Sequence, residues 1–505
     1  MFLLFYIYRF KSTFQGPKAT SWLHPIHHDM DMLNSTLGFE RIFVINLPSR
    51  LDRRDAMTLA GAVSNLSFTF LEGLKGDQLP PSSFAASSAD RKQDRSRSSN
   101  SASAGAWGSW RAHMNALQTI INHDMGSALV LEDDVDWDVR LKLQMRTFAI
   151  ASRKWLDIEG LEREAGKKTN SRSYPVPAAG LMGMLPPMSF GKREQRTYSG
   201  STPPPVSSSD FDTEHHAYGE AMKEEFERDT IPLSSSSIFR PDTSHGQQHS
   251  SSNIERSPYG DNWDVLWLGH CGVDLPAALL RGRSSSPLST VSSTTTTTSS
   301  SSPLSLGIIS PLKISIPDDD TVPAPKHLRP HPFALPDQLA SVYPAHTRVV
   351  HAANGNICSL AYAVSQRGAR KLLWQFAQTG FASQWDLMLR DFCMGKYEHG
   401  DGERGAYGSR EREDGKGGQE VTNPVCLTVQ PPLISHHYAG ERGTNGAGGA
   451  ASVSDIRGQG GGFAGGKKGT PYVRLSVHAN LRHLVSGVPA SQLVDQLPDD
   501  GDTLW

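Results

Sequence analysis

Four carboxylates stand within five consecutive residues of this sequence: Glu132, Asp133, Asp134 and Asp136. They follow directly on the apolar residues 128–131, a run that is typical of a buried strand. Carboxylates crowded in this way repel one another unless water or a cation neutralises them. Oxygen ligands suit Mg²⁺ and Mn²⁺, and substrate phosphates commonly complete their coordination. The pattern therefore predicts a divalent-cation site, and the alternative is a solvated acidic loop or an acidic helix N-terminus.

A group of basic side chains follows another apolar run, at residues 41–47. Asn46 lies near the end of this run, and Arg50, Arg53 and Arg54 come shortly after it. In open α/β sheets ligands bind beyond the carboxyl ends of the strands, and guanidinium groups pair well with phosphate. We therefore expect these arginines to contact a phosphate-bearing ligand, with Arg50 foremost because it is nearest the run. The alternative is a set of surface residues at the start of a helix.

Two further candidates come from the second half of the chain. His436 follows a predicted strand at residues 426–429, and a histidine at this edge is a candidate for a further metal ligand or a diphosphate contact. Asp386 lies in a predicted helix at residues 384–393 and is a candidate general base for an acceptor hydroxyl. The alternatives are an ordinary surface pair formed by His436 with His437, and a lone helix carboxylate.

The elements that must position these side chains alternate along the chain. Apolar runs rich in β-branched residues predict strands at residues 41–47, 68–71, 128–131, 264–268, 358–364 and 426–429. Apolar positions at helical spacing predict helices at residues 52–66, 107–121, 139–156, 365–376 and 384–393. Strands that alternate with helices predict an α/β domain with a parallel or mostly parallel sheet.

Composition limits this domain to part of the 505 residues. The hydrophobic share is 37%, and long Ser-, Thr-, Pro- and Gly-rich stretches cannot bury enough apolar surface to offset the entropy of ordering. We therefore predict one catalytic domain at residues 39–438, with an N-terminal tail at 1–38 and a Gly-rich segment and C-terminal tail at 439–505. Long disordered insertions are expected to interrupt the domain at about residues 157–260, 283–340 and 395–420.

Charge and cysteine content argue against nucleic-acid binding and against a structural zinc site. The formal net charge of −2 lacks the basic excess that drives nucleic-acid binding, so no nucleic-acid partner is expected. The four cysteines, Cys271, Cys358, Cys393 and Cys426, form no CxxC pair, which argues against structural zinc. Their even number permits two disulfides in an oxidising compartment and equally permits four buried thiols.

The first eight residues form an apolar run that is too short to span a membrane, since a spanning helix needs about 20 apolar residues. Either the run is the remnant of a signal anchor, with membrane association through the N-terminus, or it is merely an apolar start. Asn34 and Asn65 begin glycosylation sequons, which are used only if the chain enters the secretory pathway.

Several separated blocks of the chain resemble a known family when they are taken in order. The blocks are residues 43–53, 105–113, 128–134, 263–269 and 361–373, together with the helix that contains Asp386. Their order and content resemble glycosyltransferase family 25, which includes lipooligosaccharide and collagen galactosyltransferases. The match is closest at residues 128–134, where an apolar strand ends in Glu-Asp-Asp.

The resemblance implies a GT-A-type, Rossmann-like fold that moves a hexose, galactose or glucose, from a UDP-sugar to a hydroxyl acceptor with inversion. The acceptor is expected to be a glycan, protein or lipid, and the location the Golgi or ER lumen or membrane. Mn²⁺, or Mg²⁺, is expected on Glu132, Asp133, Asp134 and His436. Donor contacts are assigned to Asn46, Arg50, Arg53, His113 and Glu132, and catalytic roles to Asp386 and Asp134.

Two other functions fit the same residues. A metal-dependent nucleotide-sugar phosphohydrolase would use the same carboxylates and would not depend on an acceptor. A non-catalytic relative would bind the nucleotide sugar and use its Ser-rich insertions as partner segments. Binding of a UDP-sugar without transfer would favour the binding module.

Overall fold

A computed structural model describes eight stretches of the chain. They are residues 32–79, 104–168, 230–233, 257–276, 312–331, 334–397, 423–439 and 468–504. The N-terminal apolar run, most of the three predicted insertions and the Gly-rich residues 440–467 lie outside these stretches. Within the described residues no helix combines the length and apolar character needed to cross a membrane.

One large sheet organises these residues. Its strands are β1 (Arg41–Asn46), β2 (Phe68–Glu72), β3 (Ser127–Glu132), β5 (Thr230–Pro232), β6 (Val265–Gly269), β7 (Lys313–Ile316), β8 (Arg348–Ala352), β9 (Ala361–Ser365) and β10 (Cys426–Gln430). Their order across the sheet is β2-β1-β3-β9-β6-β10-β8-β7-β5. Two small ribbons pair β4 (Val135–Trp137) with β11 (Ile434–His436), and β12 (Tyr438–Ala439) with β13 (Lys468–Gly469).

The sheet is mixed but mostly parallel, as the sequence predicted: of its nine described strands, β8 and β9 run against the other seven. Strand β9 lies between β3 and β6 and is antiparallel to both, and β8 is antiparallel to β10 and β7. The remaining neighbours, β1 with β2 and β3, β6 with β10, and β5 with β7, are parallel. The α/β class is confirmed. An apolar stretch of sequence indicates that a strand is buried, but it does not indicate the direction of that strand in the sheet.

Helices cover both faces of the sheet. They are α1 (Leu51–Val63), α2 (Ala104–Asn122), α3 (Leu141–Lys168), α4 (Leu339–Val342), α5 (Gln366–Thr379), α6 (Trp385–Cys393) and α7 (Val477–Val485). Alternate residues of β1 and β3 enter different cores, because successive strand side chains point to opposite faces. Ile42 and Leu129 pack with α1 and α3, while Phe43 and Val130 pack with α2, α5 and α6.

Three segments that we expected to be low-complexity insertion or tail contain regular elements. The insertion predicted at residues 157–260 contains the end of α3 and strand β5. Residues 312–331 and 334–342 include β7 and α4, and Ile314 and Ile316 are buried against the sheet. In the C-terminal segment α7 packs against α1 and β4, and Val477 is fully buried. Short elements flanked by biased sequence give little periodicity to detect. Their contacts with distant parts of the chain are what fix them.

All four cysteines are paired, which decides between the two alternatives left open by the sequence. Cys271 bonds to Cys358 across 87 positions of sequence, and Cys393 bonds to Cys426 across 33. The first disulfide joins the segment after β6 to the segment before β9. The second joins the end of α6 to the start of β10.

A buried ion pair ties β8 to the chain that follows β7. The Arg348 side chain is 2% exposed, and its Nε donates to Asp319 Oδ2 over 2.7 Å. Its other nitrogens donate to the Pro431 carbonyl at 2.6 Å and to Thr321 Oγ1 at 3.0 Å. Burial acts to raise the pKa of Asp319, but the Arg348 guanidinium outweighs it and holds that pKa below its ordinary value.

Replacing the buried carboxylate should destabilise the fold strongly. In Asp319→Asn the Arg348 charge stays buried without its counter-charge, and we expect the free energy of unfolding to fall by about 3 kcal/mol. Asp320→Asn is the matched control, because Asp320 is 83% exposed and should cost well under about 1 kcal/mol. Denaturant unfolding of both variants measures the difference.

The stability difference between wild type and Asp319→Asn should also depend on pH. Because the pKa of Asp319 is lower in the folded protein, its stabilisation is present above the ordinary aspartate pKa of 3.8 and is lost as pH falls through the folded value. The stability difference between wild type and Asp319→Asn should therefore shrink below about pH 4. Equal losses in Asp319→Asn and Asp320→Asn would contradict the ion-pair interpretation.

Candidate functional site

The four carboxylates of the acidic run, residues 132–136, lie in different elements of the structure. Glu132 is the last residue of β3, Asp133 and Asp134 form the turn that follows, and Asp136 lies in β4. Asp136 is fully buried and accepts hydrogen bonds from Thr470 Oγ1 at 2.6 Å, from Ser476 Oγ and from the Trp137 amide at 2.8 Å. Asp136 therefore anchors the C-terminal segment, and the other three carboxylates remain at the sheet edge.

Asp133 and Asp134 share one arginine. The Arg53 Nη1 lies 2.6 Å from Asp133 Oδ1 and 3.0 Å from Asp134 Oδ2. Asn46 Nδ2 donates to the other oxygen of Asp133 over 2.8 Å. The end of β1 and the first turn of α1 thus neutralise the acidic turn after the neighbouring strand, as expected for parallel strands that end at one edge.

His436 completes this group from the far end of the chain. It is the last residue of β11, which pairs with β4, and its Nε2 lies 3.4 Å from Asp134 Oδ2. Burial acts to raise the pKa of Asp134, but His436 and Arg53 outweigh it and hold that pKa well below its ordinary value. Asp134 is therefore an anionic carboxylate at neutral pH.

Glu132 behaves differently from its neighbours. Its Oε1 accepts a hydrogen bond from Ser359 Oγ at 3.0 Å, and its amide donates to the Leu360 carbonyl at 3.0 Å. Burial, together with the Asp134 charge, raises the pKa of Glu132 to about 8. Glu132 therefore carries a proton at neutral pH unless a further positive charge is added beside it.

Asp386 lies close enough to Glu132 for its charge to help raise the Glu132 pKa. It stands in the first turn of α6, and its Oδ2 accepts a hydrogen bond from the Cys358 amide at 2.9 Å. Because β9 is antiparallel to β3, the chain just before β9 reaches the edge at which β3 ends. The structure therefore brings the predicted base and the acidic turn to one edge of the sheet.

Two predicted donor contacts have other partners. The Arg50 guanidinium makes two hydrogen bonds to Asp52, at 2.9 and 2.8 Å, while its carbonyl accepts from Asn46. His113 is 2% exposed, with Nδ1 3.0 Å from the Tyr362 hydroxyl and its ring stacked on Trp385. Burial lowers the pKa of His113 to about 3, so its imidazole is a neutral member of the core.

The residues that sequence analysis missed are those that hold the site together. Ser359 was part of an apolar strand prediction, and Thr470 and Ser476 fell in a predicted tail. A lone serine or threonine gives no signal in a single sequence, because its role depends on a partner hundreds of residues away. The bond from Ser359 to Glu132, for example, spans 227 positions.

The donor set at this edge fits a divalent cation in its chemistry. Asp134 Oδ1 and His436 Nδ1 are buried without a hydrogen-bond partner, and an anionic carboxylate with an imidazole is a common ligand pair. Among the described residues, however, no group of three or more His, Cys, Asp and Glu side chains is arranged to hold a metal. Arg53 supplies positive charge to Asp133 and Asp134 in their present arrangement.

The fold and the edge cluster define an α/β protein with a charged site at the carboxyl end of its first and third strands. Comparison with known proteins finds a family model that matches part of the chain. The sequence model of glycosyltransferase family 25, described as an LPS biosynthesis protein family, matches residues 39–172 and confirms the predicted resemblance over that segment. No curated protein matches the chain.

The matched segment contains five of the seven residues that the structure brings to this site. Asn46, Arg53 and residues 132–134 lie within it, whereas Asp386 and His436 lie beyond it. The family match supports glycosyltransferase activity in general terms. The family match does not identify the sugar donor, the acceptor or a metal.

Removing the shared arginine should expose how strongly the site depends on it. In Arg53→Gln two largely buried carboxylates lose their counter-charge, and we expect the free energy of unfolding to fall by about 3 kcal/mol. Arg54→Gln is the control. Arg54 is exposed and its guanidinium lies 4.5 Å from the Phe70 ring centroid, so its loss should cost at most about 1 kcal/mol. Denaturant unfolding of the two variants should separate them, and equal losses would contradict this charge balance.

Proposed function

We propose that this protein is a hexosyltransferase of the GT-A type, which moves galactose or glucose from a UDP-sugar to a hydroxyl acceptor. The observation that carries the proposal is the edge cluster of Asp133, Asp134, Arg53 and His436. It lies at the carboxyl ends of adjacent parallel strands, where α/β folds bind nucleotides. The family match covers the strand, the acidic turn and the arginine.

The cluster suits a diphosphate leaving group in particular. An anionic turn would repel a diphosphate, and a bound divalent cation would offset that repulsion. Asp134, Asp133, Glu132 and His436 are the residues that would hold Mn²⁺, or Mg²⁺, and the cation would stabilise the charge that develops on UDP. The Asn46 amide and the Arg53 guanidinium orient the Asp133 oxygens, which keeps the carboxylates in place before any ligand arrives.

Asp386 is the proposed general base. It accepts a hydrogen bond from a backbone amide, which fixes its carboxylate close to Glu132. In a direct displacement the acceptor oxygen attacks the anomeric carbon, its proton passes to Asp386, and the bond to UDP breaks with inversion. Because Asp386 belongs to α6 and the acidic turn follows β3, the proposed base and the leaving-group site lie on separate elements.

A secretory-pathway location accompanies the proposal. Both disulfides require an oxidising compartment, and Asn34 and Asn65, the sequon asparagines, are exposed. The Golgi or ER lumen satisfies both conditions, and a glycan, protein or lipid met there is the proposed acceptor. Membrane association through the N-terminal apolar run is a further proposal, and this run lies outside the described residues.

A UDP-release assay tests the proposed function. Purified protein is incubated with a panel of UDP-sugars and candidate acceptors, with Mn²⁺ and with EDTA. We expect acceptor-dependent UDP release from one donor, its loss in EDTA, and its loss in Asp134→Asn, because the variant removes the anionic ligand. Asp55→Asn, an exposed acid on α1, should retain activity.

The other functions give different results in this assay. Acceptor-independent phosphate release would indicate a nucleotide-sugar phosphohydrolase. UDP-sugar binding in calorimetry with no product would indicate a binding module. Full activity of Asp134→Asn in EDTA would exclude the proposed cation site.

The base assignment has its own test. Asp386→Asn keeps the shape of the side chain and an amide oxygen for the Cys358 amide, but removes the basic oxygen. We expect kcat to fall about 10²–10⁴-fold, with UDP affinity in calorimetry essentially unchanged. Asp391→Asn on the same helix, a partly exposed residue paired with Arg390 and Lys396, should leave kcat within about twofold. Weaker UDP binding with unchanged kcat would instead place Asp386 in donor recognition.

A further inference from the structure

The segment at residues 354–360, here called the 354–360 loop, joins β8 to β9 and reaches the edge that carries the candidate site. Three of its backbone or side-chain groups contact the site residues Asp386 and Glu132. The Cys358 amide donates to Asp386 over 2.9 Å, and Ser359 Oγ donates to Glu132 over 3.0 Å. The Leu360 carbonyl accepts from the Glu132 amide at 3.0 Å. Consecutive residues of one loop therefore hold residues from β3 and α6.

The loop is itself fastened to the segment that follows β6. Besides the Cys271–Cys358 disulfide, the Cys271 amide donates to the Ile357 carbonyl at 2.8 Å, and the Ile357 amide donates to the Gly272 carbonyl at 3.1 Å. Asn356 is 1% exposed and donates from Nδ2 to Thr428 Oγ1 over 2.9 Å. The loop is thus tied to both β6 and β10.

Cys358 adopts a backbone conformation that seldom suits a side-chain-bearing residue. Its φ is +61°, in the left-handed region, where residues other than Gly, Asn and Asp are uncommon. Such a conformation persists only where surrounding contacts impose it. The disulfide and the paired backbone of Cys271 and Ile357 are those contacts. The same conformation aims the Cys358 amide at Asp386.

We infer that the Cys271–Cys358 disulfide and Ser359 are positioning elements of the site, which set the proposed base Asp386 and Glu132 relative to each other. The inference rests on the proposed transferase function and adds a covalent tether to it. Loss of the tether frees residue 358 to relax towards negative φ, which moves its amide away from Asp386. Small displacements of a reacting group reduce turnover steeply, while binding groups that the loop does not touch keep their geometry.

The second disulfide is a matched control within the same chain. Cys426 is the first residue of β10 and Cys393 ends α6, so this bond lies at the sheet edge opposite the candidate site. Removing it should lower stability as removal of any buried crosslink does. It touches neither the 354–360 loop nor Asp386.

The first experiment compares Cys271→Ser/Cys358→Ser with Cys393→Ser/Cys426→Ser, both in the full chain. We expect the first double variant to lose at least about tenfold in kcat. The second should keep kcat within about twofold although its Tm also falls. Ser359→Ala should lower kcat about tenfold, and Ser359→Thr, which keeps the hydroxyl, should restore most of it. Equal kcat in the two double variants, or full activity in Ser359→Ala, would overturn the inference.

Hydrogen exchange followed by mass spectrometry provides a readout that needs no activity. In Cys271→Ser/Cys358→Ser the amides of residues 358 and 132 should exchange faster, because both are bonded through the 354–360 loop. The Cys393→Ser/Cys426→Ser protein should retain their protection. Absence of UDP release from the wild type would count against the proposed function alone, and the exchange data would still decide the loop inference. Unchanged protection in both variants would overturn it.

Discussion

The site depends on one charge balance, the Arg53 guanidinium set between Asp133 and Asp134. Two carboxylates on adjacent residues at a buried strand end would repel each other and lose hydration. Arg53 reaches them because β1 and β3 are parallel neighbours, so the helix after one strand begins beside the turn after the other. Asn46 donates to the other oxygen of Asp133, and His436 Nε2 lies 3.4 Å from the same Asp134 oxygen that Arg53 contacts. The positions of β1, β3 and β11 are therefore coupled through charge as well as through backbone pairing.

The sequence predicts those features of the site that depend on residues close together in the chain. The apolar run before Glu132 and the arginines after residues 41–47 are consecutive in the chain, and their strand-end positions follow from periodicity. The direction of β9 and the pairing of β4 with β11 depend on contacts across hundreds of residues. Of the predicted site residues, Arg53, Asp133, Asp134 and His436 meet in one cluster, while His113 lies in the core beside Tyr362.

The candidate site is assembled from two parts of the chain. The first part, Asn46, Arg53 and residues 132–134, lies in the segment that the family model matches. The second part comprises Ser359, Asp386 and His436, and a charged, Gly-rich stretch at about residues 395–420 lies between the last two. Asp136 binds the C-terminal segment to β4, since its carboxylate accepts hydrogen bonds from Thr470 and Ser476. A single acidic run thus supplies both site carboxylates and a structural anchor.

The Cys271–Cys358 crosslink also makes the geometry of the site independent of the length of the chain between the two cysteines. It brackets a stretch that includes the Ser- and Thr-rich residues 284–302. Closing a loop costs more as the loop grows, but only by about 0.6 kcal/mol for each doubling of its length. Because the disulfide fixes both ends of the stretch, a change in the length of residues 284–302 need not displace Ser359 or Asp386. The length of this Ser- and Thr-rich sequence is therefore free to vary independently of the site geometry.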